Sequence, residues 1–266
     1  MSKHIIHFAH ANSFPAKTYS KLFSYLSDDF EIGFLERHAH NPHFPITDGW
    51  KYLAHELQAE IENRYTQPVI GVGHSLGGIL HFLVACEQPE LYQAIVLLDA
   101  PLVSRLSGAG LKLLKRTRLL DKYSPSRTAR FRRNLWQTKN EVFEHFSRKE
   151  LFNNFDKDVL RDYSHYGTVQ NEDGLKLFFE PKIEAKIYRT IPDSFSKFRG
   201  KLQVPAAYIG GTRSREARLA RLGFMRKNFP FEFHFIEGSH LFPFEKPLET
   251  AKMLKMVIER LQKPAR

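Results

Sequence analysis

Residues 69–80 read VIGVGHSLGGIL. An apolar run ends in glycine, one hydroxyl stands between His74 and Leu76, and a second apolar run starts behind Gly77 and Gly78. Gly73-His74-Ser75-Leu76-Gly77 is a G-x-S-x-G pattern between a strand-like and a helix-like segment. A turn that sharp needs residues without side-chain bulk on both sides, which accounts for Gly73, Gly77 and Gly78. It lifts the Ser75 hydroxyl clear of the sheet, and the start of the following helix offers positive potential to a developing oxyanion. Ser75 is therefore the candidate nucleophile, and a glycine-rich helix start without chemistry is the plain alternative.

Working outward, short β-branched runs alternate with longer segments of helical period, the pattern of an α/β protein with a largely parallel sheet. The expected strands are 4–9, 30–35, 69–73, 94–99, 205–210 and 231–237. The expected helices are 17–28, 49–65, 76–88, 215–228 and 247–262. In the last of these, Leu248, Ala251, Leu254, Val257, Ile258 and Leu261 form one apolar stripe behind Pro247. The interval 101–203 breaks the alternation. It reads as mostly helical, rich in phenylalanine and cationic, and is expected to be an insertion over a core made of 1–100 and 204–266.

Composition excludes several classes. At 266 residues, 42% hydrophobic and 26% charged, the chain is ordinary globular material with room for a sizeable core. No apolar run reaches the roughly 18 residues of a membrane span. The opening MSKHIIHFAH is a poor signal peptide, and Cys86 is the sole cysteine, so a reducing cytoplasm is the expected location. The net charge of +11 is concentrated: between Arg105 and Lys149, thirteen lysines and arginines face three acids. A solvated basic face is the plainest reading of that segment. An anionic substrate group or a membrane surface comes next, and nucleic acid last.

A serine hydroxyl is a weak nucleophile without a base. His240 is the candidate, in FHFIEGSHLFPFEKP, where a strand ends in Gly-Ser-His ahead of the final helix. With Ser75 and His240 placed, the chain resembles the α/β-hydrolase fold family over nearly its whole length. FAHANSFP resembles the family's oxyanion loop, GHSLGG its nucleophile elbow, and GSHLFPFEKP its histidine loop, in the right order. The resemblance implies that 101–203 is a helical cap and that the chain opens at the family's third strand. It also implies an oxyanion hole built from the backbone N–H of Leu76 and of Asn12, with Ala11 the lesser alternative.

The pattern departs in places. The family's commonest triad acid follows the penultimate strand, where this chain reads Gly210-Gly211-Thr212-Arg213-Ser214. Asp99, in IVLLDAPL, occupies another family position for the acid. Ser214, Asp193 or no carboxylate at all are the alternatives. His38, His40 and His43 have the spacing of a zinc site, but Pro42 stands where such a site expects Asp, so a polar loop near the active-site mouth is the better reading.

Together these readings point to a serine hydrolase of the Ser75–His240–Asp99 type that needs no cofactor or metal. Its substrate would be a small molecule with an apolar acyl or aryl group, as the insertion's phenylalanines suggest. A thioesterase, an amidase or a C–C bond hydrolase on the same machinery stays open, as does a ligand-binding protein without catalysis.

Overall fold

The computed structural model describes residues 3–104, 109 and 126–263. In chain order the strands are β1 (His4–Ala9), β2 (Phe30–Phe34), β3 (Val69–His74), β4 (Tyr92–Leu98), β5 (Thr168–Asn171), β6 (Gly174–Leu177), β7 (Ala206–Gly211) and β8 (Phe231–Ile236). Six of them form one parallel sheet in the order β2-β1-β3-β4-β7-β8. The expected α/β architecture is present.

The period of two along each strand explains why helices cover both faces. Ile6 and Phe8 of β1, Ile70 and Val72 of β3, and Val96 and Leu98 of β4 pack on one face, with Leu22, Leu254, Val257 and Ile258. Their neighbours Ile5, Val69, Ile95 and Leu97 pack on the other, with Leu53, Leu57, Ile61, Leu80 and Leu83. The helices Lys51–Arg64 and Leu76–Glu87 thus lie on one side and Pro247–Leu261 on the opposite side. The chain runs outward from β1 to β2, then crosses back past β1 to β3. That reversal is a topological switch point, which leaves a crevice beyond the carboxyl ends of β1 and β3.

Two expected helices differ. The segment 17–28 is a 3-10 turn, Ala16–Tyr19, running into the short helix Ser20–Ser24. The segment 215–228 is two helices, Arg215–Ala220 and Gly223–Asn228, because Arg221 adopts a left-handed backbone (φ 53°) that ends the first.

Between β4 and β7 the described residues form the helices Ser126–Phe131, Lys139–Ser147, Lys157–Tyr166 and Pro181–Arg189. The basic amphipathic stretch GLKLLKRTRLL, 110–120, lies outside the described residues. The interval is not wholly helical: β5 and β6 make an antiparallel hairpin closed at Asn171–Gly174, where Gly174 takes φ 134°. Trp136 adds a bridge to Leu175 through two backbone hydrogen bonds of 3.0 and 2.7 Å. Phe155 stacks on Phe244 at 5.1 Å, and Tyr163 meets Phe14 at 5.4 Å, so aromatic rings join this interval to the core. Lys21 adds an ion pair to Asp156 at 2.7 Å.

Candidate active site

The turn at Ser75 is strained. Ser75 takes φ 51° and ψ −110° as the residue that caps the helix Leu76–Glu87, outside the usual range for a residue with a Cβ. The glycines around it are required by contact, not by dihedral angle. A Cβ on Gly73 would lie 2.3 Å from the Gly77 carbonyl carbon, and one on Gly77 would lie 2.0 Å from the Ala9 oxygen. Strand, turn and helix therefore approach more closely than any larger residue permits.

His240 comes from the loop after β8. Its Nε2 is 3.0 Å from Ser75 Oγ, and its Nδ1 is 2.6 Å from Asp99 Oδ2. Glu245, in the last short helix before Pro247, holds this loop by accepting from the Ser239 N–H at 3.0 Å and from the Ser239 hydroxyl. His240 is one-fifth exposed, whereas Asp99 is fully buried.

Asp99 sits at the end of β4 with φ 44°. Its Oδ1 accepts from the Tyr208 hydroxyl at 3.0 Å and from the Gly211 N–H at 3.1 Å. Its Oδ2 accepts from the Ser214 hydroxyl at 2.5 Å and from His240 Nδ1–H. Four donors fill the four lone-pair positions of an ionised carboxylate, leaving none for a proton. Burial alone would push the Asp99 carboxyl up. The hydrogen bond and charge of His240 outweigh it, with help from Ser214 and Gly211, and hold the carboxyl below its usual range. For His240, burial works to lower the pKa, but Asp99 and then Glu216 raise it above the ordinary imidazole value. The nearest Glu216 oxygen is 3.9 Å from Nδ1.

The directions of the hydrogen bonds follow. Because Asp99 only accepts, His240 Nδ1 carries hydrogen and Nε2 offers its lone pair to the Ser75 hydroxyl. A hydroxyl, an imidazole and a carboxylate in such a line are the elements that draw a proton from an oxygen nucleophile.

A second line runs behind the first. The His240 carbonyl can only accept, so His74 Nε2, at 2.9 Å, is its donor. His74 Nδ1 then accepts from the Tyr19 hydroxyl at 2.7 Å, and the Tyr19 oxygen accepts the Ala11 N–H at 3.1 Å. Burial, with the neighbouring His240, pushes the His74 pKa down to about 3, consistent with the neutral ring this line requires. The N–H of Ala11 is thereby engaged, which sets Ala11 aside as an oxyanion donor. Ala11 O accepts from Phe14 N–H at 3.1 Å and lies 2.8 Å from His10 Nδ1. In a planar trans peptide, the Asn12 N–H points the opposite way. Leu76 is the first residue of its helix, so its N–H has no partner within it.

Asn12, Ser75, Leu76 and His240 all line one cavity of about 1150 Å³. Phe14, Trp50, Ile79, Phe146, Phe152 and Ile187 give it apolar walls. Phe131 also lines it, whereas Trp136, Phe155 and Phe179 are buried in packing.

The structure brings Ser75, His240 and Asp99 together. Ser214, an alternative to Asp99 in the sequence, instead donates to it. The histidines of the zinc-like spacing have other neighbours. His40 Nδ1 lies 2.8 Å from the His38 carbonyl, its Nε2 accepts from the Glu180 N–H, and His43 is exposed. Among the described residues, the metal-competent side chains that converge are Asp99, Glu216 and His240, within 4.8 Å. Sequence reading missed Tyr208, Glu216, Glu245 and the Tyr19–His74 line.

A family model described as the alpha/beta hydrolase family matches residues 8–253. The chain belongs to that family. No curated protein sequence matches it significantly. Solved hydrolase structures share the fold at low identity. E-2-(acetamidomethylene)succinate hydrolase is 19% identical with a TM-score of 0.75, over 97% of this chain and 92% of that one. A peroxisomal alpha-beta-hydrolase from Saccharomyces cerevisiae is 14% identical with a TM-score of 0.73, over 100% and 79%. The enol-lactonase from Burkholderia xenovorans LB400 is 14% identical with a TM-score of 0.63, over 97% and 92%. Among the described residues, no helix is long and apolar enough to cross a membrane.

Proposed function

We propose that the protein is a serine hydrolase that cleaves a carboxylic ester or a related acyl bond through an acyl-enzyme on Ser75. The observation that carries this reading is the unbroken line from Ser75 Oγ to His240 Nε2 at 3.0 Å and from His240 Nδ1 to Asp99 Oδ2 at 2.6 Å. Ser75 Oγ attacks the carbonyl carbon while His240 Nε2 takes its proton. The backbone N–H groups of Leu76 and Asn12 receive the developing oxyanion. His240 then gives the proton to the leaving group, the C–O bond breaks, and the acyl group stays on Ser75. Water attacks next, again with His240 as base, and the acid is released. Asp99 fixes the imidazole and stabilises its cationic form.

The interval 101–203 acts as a cap whose aromatic residues size the pocket for an apolar acyl or aryl group. The fold is shared with proteins named as an enol-lactonase and as E-2-(acetamidomethylene)succinate hydrolase, in keeping with a hydrolase but naming no substrate for this chain.

Labelling with a fluorophosphonate probe and turnover of p-nitrophenyl esters of graded chain length test the proposal. Ser75→Ala is expected to abolish labelling and to lower kcat by a factor on the order of 10⁴ to 10⁶, with the fold intact by circular dichroism. Labelling that persists in the variant, or folded wild type that neither labels nor turns over any ester, thioester or amide, sinks it.

A further inference from the structure

One wall of the cavity is polar and buried. Arg132, directly after the helix Ser126–Phe131, sends its guanidinium to Glu184 of the helix Pro181–Arg189, with Nη2 at 3.1 Å from Oε2. The pair lies inside: the side chains are 19% and 8% exposed. It also adjoins the reacting centre, because Asn12 Nδ2 donates to the Glu184 backbone oxygen at 3.2 Å. Despite this proximity the pair is poorly aligned. Neither Arg132 Nε nor Nη2 has an aligned hydrogen-bond acceptor, and Glu184 Oε2 has no aligned donor.

Nε and Nη2 carry the N–H groups on one edge of the guanidinium, and that edge is the fork that fits a carboxylate in a bidentate contact. Leaving such donors buried and unmatched is costly, so a ligand that supplies the acceptor recovers the loss. Charge favours an anion as well. Among the described lining residues, Arg127, Arg132, Arg133, Lys149, Arg213 and Arg215 face three glutamates. Three of the six are already in ion pairs, Arg133 with Glu141, Arg213 with Glu237 and Arg132, out of alignment, with Glu184, yet the lining keeps an excess of positive charge.

We propose that Arg132 receives a free carboxylate on the substrate, in addition to the acyl bond that is cut, and so makes the enzyme selective for anionic esters. This rests on the reading of Ser75 as the reacting centre. Glu184 Oε2 lies 3.1 Å from Nη2, and both Nε and Nη2 are closed off from solvent, so the guanidinium must swing from Glu184 into the cavity that both residues line to present its Nε–Nη2 edge to the carboxylate.

Two matched pairs of substrates test it. One is p-nitrophenyl hydrogen glutarate against p-nitrophenyl methyl glutarate, which differ in the free carboxylate on the acyl side. The other is the butyrate ester of 3-hydroxybenzoic acid against that of its methyl ester, which differ on the leaving-group side. In at least one pair, wild type is expected to prefer the acid by about tenfold or more in kcat/KM. That ratio falls toward one in Arg132→Gln and lies between in Arg132→Lys, which keeps charge but loses the fork. No preference in either pair, or a preference that Arg132→Gln retains, overturns the proposal. Calorimetric binding of free glutarate, with dimethyl glutarate as control, tests the same edge without turnover. Glutarate that binds wild type more tightly than the diester, and loses that advantage in a folded Arg132→Gln, supports the subsite even if Ser75 proves inert. If neither turnover nor binding distinguishes acid from ester, the subsite fails whatever Ser75 does.

Discussion

The carboxyl ends of β1, β3 and β4 and the interval between β4 and β7 meet at one cavity but are built differently. At the strand ends, position is fixed by backbone. Ser75 and Asp99 both hold positive φ values, Gly73 and Gly77 leave no room for a Cβ, and every lone pair of Asp99 is occupied. Across the cavity, position is set by side chains: Phe146, Phe152 and Tyr163 packed ring on ring, and an ion pair with imperfect alignment. In the proposed reaction, the groups that would meet a reacting atom within tenths of an ångström are the ones fixed by backbone. Groups that meet the rest of the substrate sit on the part that a few substitutions can remodel.

That contrast can be broken in graded ways. Asp99→Asn should have the largest effect after removal of the serine itself. It replaces one carboxylate oxygen by an NH2 donor: in the Oδ2 place this opposes the Ser214 hydroxyl and the His240 Nδ1–H and disturbs the His240 tautomer, while the remaining oxygen still accepts two bonds. A fall in kcat on the order of 10³ to 10⁴ is expected, measured as p-nitrophenolate release, with binding of a slow substrate less affected.

Tyr19→Phe comes next. It strips the hydroxyl that joins Ala11 N–H to His74, leaving both unmatched in the interior, at a cost of about 1–3 kcal/mol by chemical denaturation. Turnover should also drop, because the loops carrying Asn12 and His240 lose a shared tie. An unchanged kcat at reduced stability would show that the second line is merely structural.

Leu151→Ala removes an exposed side chain that lines the same cavity as the serine. Stability should stay within about 0.5 kcal/mol, while KM for long acyl chains rises a few-fold and KM for acetate esters does not. Equal changes for short and long chains would remove the division between the two regions.

The smallest effect belongs to Glu216→Gln. His240 must be neutral to take a proton, and Glu216 helps raise its pKa. Activity therefore falls as pH drops through a midpoint above the ordinary imidazole value. Without the Glu216 charge that midpoint moves to lower pH, so more activity survives in mild acid. A pH profile of kcat/KM reads this directly, and a midpoint that stays or rises contradicts it.

The sequence was most legible where chemistry depends on neighbours in the chain. The elbow around Ser75 and the Gly-Ser-His turn at His240 each declare themselves within a dozen residues, and the six strands of the sheet follow from local period. Asp99 was legible as a strand-end acid, but what secures it was not. Tyr208, Gly211 and Ser214 lie more than a hundred residues away, and only the pairing of β4 with β7 brings them to it. The hairpin of β5 and β6 escaped for another reason: its strands, Thr-Val-Gln-Asn and Gly-Leu-Lys-Leu, are only four residues each and too short to show a period, although Asp173-Gly174 was a turn signal in plain view. The break at Arg221 has no such mark, because arginine is a good helix former held there in a left-handed conformation.

His240 follows β8, which lies at the edge of the sheet and is paired on one side only. Its bond to Ser75 closes a loop of 165 residues and exists only while that outermost strand is docked. Peeling the edge strand would disconnect His240 from Ser75 while the central strands remain folded. The proposed hydrolysis would then be a sentinel for the integrity of the chain's last third: with rising denaturant, turnover should vanish before the bulk of the secondary structure does.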